Sequence, residues 1–142
     1  MILPIQIVLA SLKAGAVIRM NTVFPDGSSA IKRLIVLTNK NEELVLALTT
    51  TSNINSPKRD YGKEDIFIKA NSEKAFNLDT YIQLNRVIPI NTEKIKIDYH
   101  QHELIILGEI SVHLLEQVYQ SIEKSELIEQ KFISLILEEK IK

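Results

Sequence analysis

Three segments rich in β-branched and large apolar residues follow one another in the first 50 positions, with short turn sequences between them. The segments are Ala16–Phe24, Ile31–Thr38 and Leu44–Thr50. The sequences between them contain Pro25-Asp26-Gly27 and Asn39-Lys40-Asn41-Glu42, whose compositions are typical of turns. Strands joined in this way pair with their neighbours in sequence, so we predict a three-stranded antiparallel meander.

Shorter apolar runs continue the pattern after a long polar stretch. Residues 51–65 are rich in Ser, Asn, Lys and Arg, and loops of this length in compact domains often carry function. Many short strands with little helix between them favour a small antiparallel barrel or sandwich over a parallel sheet. We predict these further strands at Ile66–Ile68, Tyr81–Leu84, Val87–Ile90, Ile95–Tyr99 and Leu104–Leu107.

Helical patterns occupy both ends of the chain. A short amphipathic helix is predicted at the N-terminus, where Pro4 suits a first helical position and Gly15 a stop. Its apolar positions, at helical spacing, are Ile5, Val8, Leu9 and Leu12.

Two more helices are predicted at the C-terminus. Ser111 is a good N-cap for the first of them, and the second is expected from Ser125 or Glu126 to Lys140. The predicted apolar stripes are Val112, Leu115, Val118, Tyr119 and Ile122, then Leu127, Ile128, Phe132, Leu135 and Ile136. We expect the second stripe to dock on its own domain, on a twin subunit or on another protein, because it is too large to leave in water. The sequence thus predicts one α+β domain over residues 1–142, with a barrel over about 13–110 and a helical tail over about 111–142.

Composition excludes several classes of enzyme. The chain has no Cys, which rules out thiolate catalysis, zinc–thiolate sites and disulfides. Four Gly and the absence of GxGxxG, GxxxxGK[ST] and GxSxG motifs argue against Rossmann enzymes, P-loop NTPases and serine hydrolases. The apolar N-terminus lacks signal-peptide features and falls short of the roughly 20 residues of a membrane span, so we expect a cytoplasmic protein.

The charge is divided unevenly along the chain. Residues 1–98 carry 13 Lys and Arg against 10 Asp and Glu, and residues 99–142 carry 4 against 8. The balances of +3 and −4 add up to the net charge of −1. A basic face on the first part is therefore compatible with a nucleic-acid partner, and the acidic tail raises the hypothesis of autoinhibition.

One group of residues along the predicted hairpin has the chemistry of a phosphate site. If Ile31–Thr38 pairs with Leu44–Thr50, Arg33 lies near Thr49–Ser52 at one end of the sheet. A guanidinium presents a planar fork of donors that matches phosphate oxygens, and neighbouring hydroxyls add hydrogen bonds. Such a group can stabilise charge that develops on a phosphodiester, or it can be a solvated arginine beside ordinary strand-forming threonines.

The order of several short motifs resembles the MazF/PemK (Kid) toxin family from about residue 13 to 124. The motifs include Gly15-Ala-Val-Ile, Lys32-Arg33 before a Leu-Ile-Val-Leu strand, and Leu46-Ala-Leu-Thr-Thr-Thr-Ser52. Tyr81-Ile-Gln-Leu-Asn-Arg86 and Gly108-Glu-Ile-Ser111 are similar to later segments of that family. No single motif is specific, and their common order carries the resemblance.

The resemblance implies an SH3-like β-barrel that forms a homodimer and cleaves single-stranded RNA without a metal or other cofactor. A cognate antitoxin would neutralise it by lying in the substrate groove. Arg33 would be the catalytic arginine, as proton donor or transition-state clamp. Thr49 would be the hydroxyl on the phosphate, or Thr50 if the register differs by one, with Lys32 and Ser52 as further substrate-binding residues.

Two features depart from the family pattern. Leu34 follows Arg33 where the family usually has Pro, and the helical tail from Ser125 to Lys142 is longer than in compact toxins. Two alternatives therefore stay open: a catalytically inactive barrel that binds protein or nucleic acid, and a gyrase poison similar to CcdB, which shares the fold without nuclease chemistry.

Other charged residues admit two interpretations each. Lys58 and Arg59 either contact RNA or are solvated loop charges, and Arg86 either supplies a second cation or pairs with a nearby aspartate. His100 and His102 would share a face if they lay on a strand, but two histidines without a third ligand rarely bind a metal, so no metal site is predicted.

Overall fold

The computed structural model describes residues 4–23, 26–38, 44–52, 65–125, 128 and 130–141. Within these ranges the chain forms six strands and four helices. The helices are α1 (Ile5–Ser11), α2 (Thr92–His100), α3 (Val112–Glu123) and α4 (Gln130–Ile141). The strands are β1 (Ala16–Val23), β2 (Ser29–Thr38), β3 (Leu44–Thr51), β4 (Ile66–Ile68), β5 (Thr80–Asn91) and β6 (Ile105–Glu109).

The strands form one antiparallel sheet in the order β4-β5-β3-β2-β1-β6. The predicted meander is confirmed, because β1 pairs with β2 and β2 with β3 in antiparallel register. The sheet curls into a half-barrel, so the predicted α+β class is confirmed in this coarser form. No helix in the described part of the chain combines the length and the apolar character that crossing a membrane requires.

Both faces of the central strands are buried. Val17 and Ile35 pack with α3 and α4 on one face, whereas Ile18 and Leu34 pack with residues next to or within α1 and α2 on the other. Successive strand residues point to opposite faces, so a strand covered on both sides has to be apolar at every position. This explains the uninterrupted apolar run from Leu34 to Leu37 at the centre of β2.

The strand predicted at Ile95–Tyr99 is wrong, because these residues lie in helix α2. Asn91 caps this helix by accepting a 2.7 Å hydrogen bond at its side-chain oxygen from the backbone N–H of Glu93. An ion pair of 2.7 Å between Lys94 and Asp98, one helical turn apart, adds local support. Polar and apolar residues alternate in this segment, and such alternation is typical of a strand. The Asn91 cap and the spacing of four residues between Lys94 and Asp98 favour a helix instead.

The two strands predicted at Tyr81–Leu84 and Val87–Ile90 are one continuous strand, β5. Val87 pairs with Leu48, and Gln83 pairs with Thr49, the next residue along β3. Residues 84–86 therefore form an insertion in the register, which explains why the apolar pattern is interrupted there.

The C-terminal helices dock on the same domain, as the first of the three alternatives expected. The Ser111 cap is confirmed, since its Oγ accepts a hydrogen bond of 3.1 Å from the N–H of Leu114. Val112, however, is 85% exposed, and Leu114 takes its place in the core. Val112 lies six residues before Val118, which puts it roughly 120° around the helix from the buried stripe.

Helix α4 starts at Gln130, later than predicted, and buries Ile133 and Ile136 in the same core as α3. Leu135, which the sequence placed in the apolar face, is 43% exposed, and Leu127 lies outside the described residues. The burial of Ile133 and Ile136 gives α4 a structural role as part of the core.

Candidate functional site

A cavity of about 240 Å³ opens where β1, β2 and β3 meet the segment of residues 69–79, which connects β4 to β5. None of the described residues that line it is acidic. Cationic and hydroxyl side chains make up much of its wall, with apolar side chains between them. The lining residues are Arg19, Ile31, Lys32, Arg33, Thr50, Thr51, Ser52, Phe76, Asn77, Leu78 and Thr80.

Arg33 is held in place by acceptors on the 69–79 segment. Its Nη1 donates to the backbone oxygen of Ala75 at 2.7 Å and to Oδ1 of Asn77 at 3.3 Å. Both acceptors are electrically neutral, so they orient the half-buried guanidinium without cancelling its charge. An arginine has five N–H donors, and these two bonds with described residues occupy only two of them.

The 69–79 segment is itself anchored at two points. Phe76 is 1% exposed and belongs to the core under α3 and α4. The Glu73 carboxylate accepts hydrogen bonds from the backbone N–H of Ser111 at 2.7 Å and from its hydroxyl at 2.9 Å. The acceptors of Arg33 therefore belong to a segment fixed by the core and by the N-terminus of α3.

Arg19, which the sequence analysis did not single out, lies directly opposite Arg33 on the neighbouring strand. Its side chain is exposed, and among the described residues it has neither an ion pair nor a hydrogen-bond partner. A hairpin whose turn is centred on Asp26 pairs position 19 with position 33. The predicted turn was therefore sufficient to place Arg19 beside Arg33 from the sequence alone.

The two neighbouring threonines of β3 have different environments. Thr50 lines the cavity, and its hydroxyl donates to the backbone oxygen of Arg33 at 2.7 Å. Thr49 is fully buried, does not line the cavity, and donates to Oε1 of Gln83 at 3.0 Å. The structure therefore brings Thr50 to Arg33 and directs the hydroxyl of Thr49 to Gln83.

The remaining predicted site residues are only partly covered. Lys32 and Ser52 line the cavity beside Arg33 and Thr50. Lys58 and Arg59 lie outside the described residues, and Arg86 is described only as a backbone position in β5.

Leu34, at the position where the resembled family usually has Pro, has a structural reason to be apolar. It is fully buried in the core that contacts α1 and α2, and it pairs with both Ile18 and Thr49. Proline cannot donate to a β-ladder and is confined to edges and bulges, so leucine fits this central position.

The histidines do not share a strand face. His100 is the last residue of α2, and His102 follows it with a φ of 62°. Within the described ranges, no three His, Cys, Asp or Glu residues cluster in a way that could hold a metal ion.

No protein-family model and no curated protein matches this chain. The function has to be argued from the cavity itself. A cationic wall with adjacent hydroxyls and no acidic residue among the described lining is suited to an anion, and guanidinium forks match the oxygens of a phosphate group.

Proposed function

We propose that this chain binds single-stranded RNA in the cavity and cleaves it without a metal ion. The observation that carries the proposal is the arrangement of Arg33 beside Arg19 and Thr50 in a cavity without described acidic residues. The order of motifs similar to MazF/PemK toxins points to the same chemistry. RNA carries its own nucleophile, the 2′-hydroxyl, so a protein that stabilises the developing charge already contributes to cleavage.

In the proposed reaction the 2′-oxygen attacks the adjacent phosphorus while the bond from phosphorus to the 5′-oxygen breaks. The products are a 2′,3′-cyclic phosphate and a 5′-hydroxyl, with one proton leaving the 2′-oxygen and one reaching the 5′-oxygen. Arg33 would stabilise the charge on the phosphate oxygens. Thr50 lines the cavity and would take the hydroxyl role by turning its hydroxyl proton from the backbone oxygen of Arg33 to the phosphate. The described lining residues include no carboxylate or imidazole, so the contribution we derive from them is charge stabilisation.

The proposal includes the assembly and partners that the resemblance implies. The sheet would be an SH3-like barrel in a homodimer, acting in the cytoplasm as the toxin of a toxin–antitoxin pair. The cognate antitoxin would cover the cavity and exclude RNA. A cationic wall is suited to an acidic or extended antitoxin segment for the same reason that it suits RNA.

A second candidate function is RNA binding without cleavage. It is favoured by the two hydrogen bonds that already occupy Nη1 of Arg33, and by the absence of a general base among the described lining residues. Both candidates use the same cavity, and they differ in whether bound RNA is cut.

The experiment is incubation of a long RNA with purified protein in excess EDTA, comparing wild type with Arg33→Ala and Arg33→Lys. The matched control is Lys13→Ala, which removes one exposed positive charge paired with Glu109 at 3.2 Å, outside the cavity. The nuclease proposal expects discrete cuts with cyclic-phosphate ends in wild type and control, and their loss in Arg33→Ala. Bound but intact RNA with folded wild-type protein supports the second candidate, and RNA that is neither bound nor cut contradicts both.

A further inference from the structure

We infer that Arg19 and Arg33 bind one phosphate group between them, which makes Arg19 a substrate-binding residue of the cavity. Where the phosphate belongs to RNA, the inference rests on the proposed function. The site it describes is a clamp of two guanidiniums on neighbouring strands.

The register supports a shared ligand. Arg19 and Arg33 are directly opposite each other in the pairing of β1 with β2, and opposite residues have Cβ atoms about 4.5–5.5 Å apart. Val17 lies two residues before Arg19 in β1, and Ile35 lies two residues after Arg33 in β2. Both belong to the core beneath α3 and α4. The strand period of two therefore places both arginines on that same face, where both line the cavity.

The electrostatics call for an anion at this position. Like charges directly opposite each other on neighbouring strands destabilise a sheet, and arginine does not lose its charge in a protein. Arg19 has no ion pair with a described residue, and the described acceptors of Arg33 are a carbonyl and an amide oxygen. A sheet built for stability alone would place a carboxylate on one side of the pair. No described residue of the cavity lining is a carboxylate, so an anionic ligand can supply the compensating charge.

A phosphate group fits these donors better than a carboxylate. A carboxylate is planar with two oxygens, which one guanidinium fork can fully occupy. A phosphodiester or free phosphate is tetrahedral and offers oxygens in directions that two forks and a hydroxyl can share. Ser52 lines the same cavity and supplies a hydroxyl donor, whereas Thr50 can donate there only by releasing the backbone oxygen of Arg33.

The test is a double-mutant cycle on binding of a labelled 2′-O-methyl oligoribonucleotide, which lacks the nucleophile and cannot be cut. Affinity is measured for wild type, Arg19→Ala, Arg33→Ala and the double variant, with Lys13→Ala as the matched charge control and circular dichroism to check folding. We expect each single variant to bind about ten- to a hundredfold more weakly, as for lost hydrogen bonds to a charged group. Because both residues hold one phosphate, the double variant should lose far less than the product of the single losses.

Three outcomes decide the matter. Sub-multiplicative loss with Lys13→Ala close to wild type supports the clamp. If the loss of affinity in the double variant equals the product of the two single losses, the arginines bind two separate phosphates. If Arg19→Ala binds as tightly as Lys13→Ala, Arg19 does not contact a phosphate. Either result overturns the inference.

A second experiment, which does not depend on cleavage, distinguishes a phosphate of RNA from free phosphate as the ligand. Inorganic phosphate is titrated while the thermal midpoint is followed for wild type and Arg19→Ala. Stabilisation of wild type but not of Arg19→Ala, without oligonucleotide binding, supports the clamp and contradicts the proposed function. Equal stabilisation of both proteins contradicts the clamp.

Discussion

Replacing Phe76 with alanine is expected to destabilise the protein and to weaken the candidate site at the same time. Phe76 is 1% exposed and lies in the core beneath α3 and α4, although it belongs to a segment without regular secondary structure. The residues on either side of it, Ala75 and Asn77, provide the oxygens that accept hydrogen bonds from Arg33.

The size of the effect follows from burial. Deleting a fully buried phenyl ring costs about 3–5 kcal/mol of unfolding free energy, because the apolar contacts are lost and a cavity remains. For a domain of this size, about 3 °C of thermal midpoint per kcal/mol gives a fall of roughly 9–15 °C. Phe76→Leu keeps most of the volume and should cost about 1.5 kcal/mol or less. Leu78→Ala is the exposed control in the same segment, since Leu78 is 57% exposed.

The assay is urea unfolding followed by circular dichroism, combined with amide hydrogen exchange of residues 69–79. If the segment detaches as a unit, exchange there accelerates more than exchange in β2, and RNA affinity falls because the acceptors of Arg33 move away. A Phe76→Ala protein within about 0.5 kcal/mol of wild type would refute the conclusion that this ring anchors the segment.

Three further substitutions test separate parts of the structure, with urea unfolding as the common measurement. Glu73→Gln should cost about 1 kcal/mol, because the half-exposed carboxylate accepts two hydrogen bonds from Ser111 at the start of α3, and equal stability would argue against this anchor. Thr49→Val should cost about 1–3 kcal/mol by leaving buried Gln83 without its partner, while RNA affinity stays unchanged; a loss of affinity would restore Thr49 to the site. Gly15→Ala should cost about 1–2 kcal/mol, since Gly15 has a φ of +93°, and an unchanged midpoint would contradict that backbone strain.

The strand pattern predicted the centre of the fold well because local and tertiary preferences agree there. The β-branched residues of β2 favour an extended chain, and both faces of the strand are covered by apolar partners. Turn sequences on each side of β2 then determine which strands become its neighbours.

Prediction failed where two periodicities compete. Residues 94–99 alternate polar and apolar side chains, yet the Asn91 cap and the Lys94–Asp98 pair favour helix α2. Ile97 is 53% exposed as a result, so the alternation did not correspond to one buried face. In α3, the spacing of three residues between Val112, Leu115 and Val118 is shorter than the helical repeat of 3.6. The predicted stripe therefore wrongly included Val112, which is exposed, in place of Leu114, which is buried.

Only the part of the candidate site that lies on the hairpin of β2 and β3 could be predicted from the sequence. Aligning β2 with β3 brings Arg33 to the end of β3, and the structure shows Thr50 bonded to its backbone. Which of two adjacent threonines lies beside Arg33 depends on the register of β2 against β3, which shifts between Val36 and Thr38, and no local pattern reveals that shift. The acceptors of Arg33 come from a segment more than 40 residues away in sequence, so tertiary structure was needed to find them.

The central claim is that Arg33 stabilises cleavage of an RNA phosphodiester in this cavity. The most direct measurement is the single-turnover rate of RNA cleavage in excess EDTA for wild type, Arg33→Lys and Arg33→Ala at saturating protein. We predict that the cleavage rate falls about 10²–10³-fold in Arg33→Ala, and that Arg33→Lys restores it only in part because lysine lacks the guanidinium fork. Equal rates for the folded wild-type and Arg33→Ala proteins would contradict a role of Arg33 in cleavage.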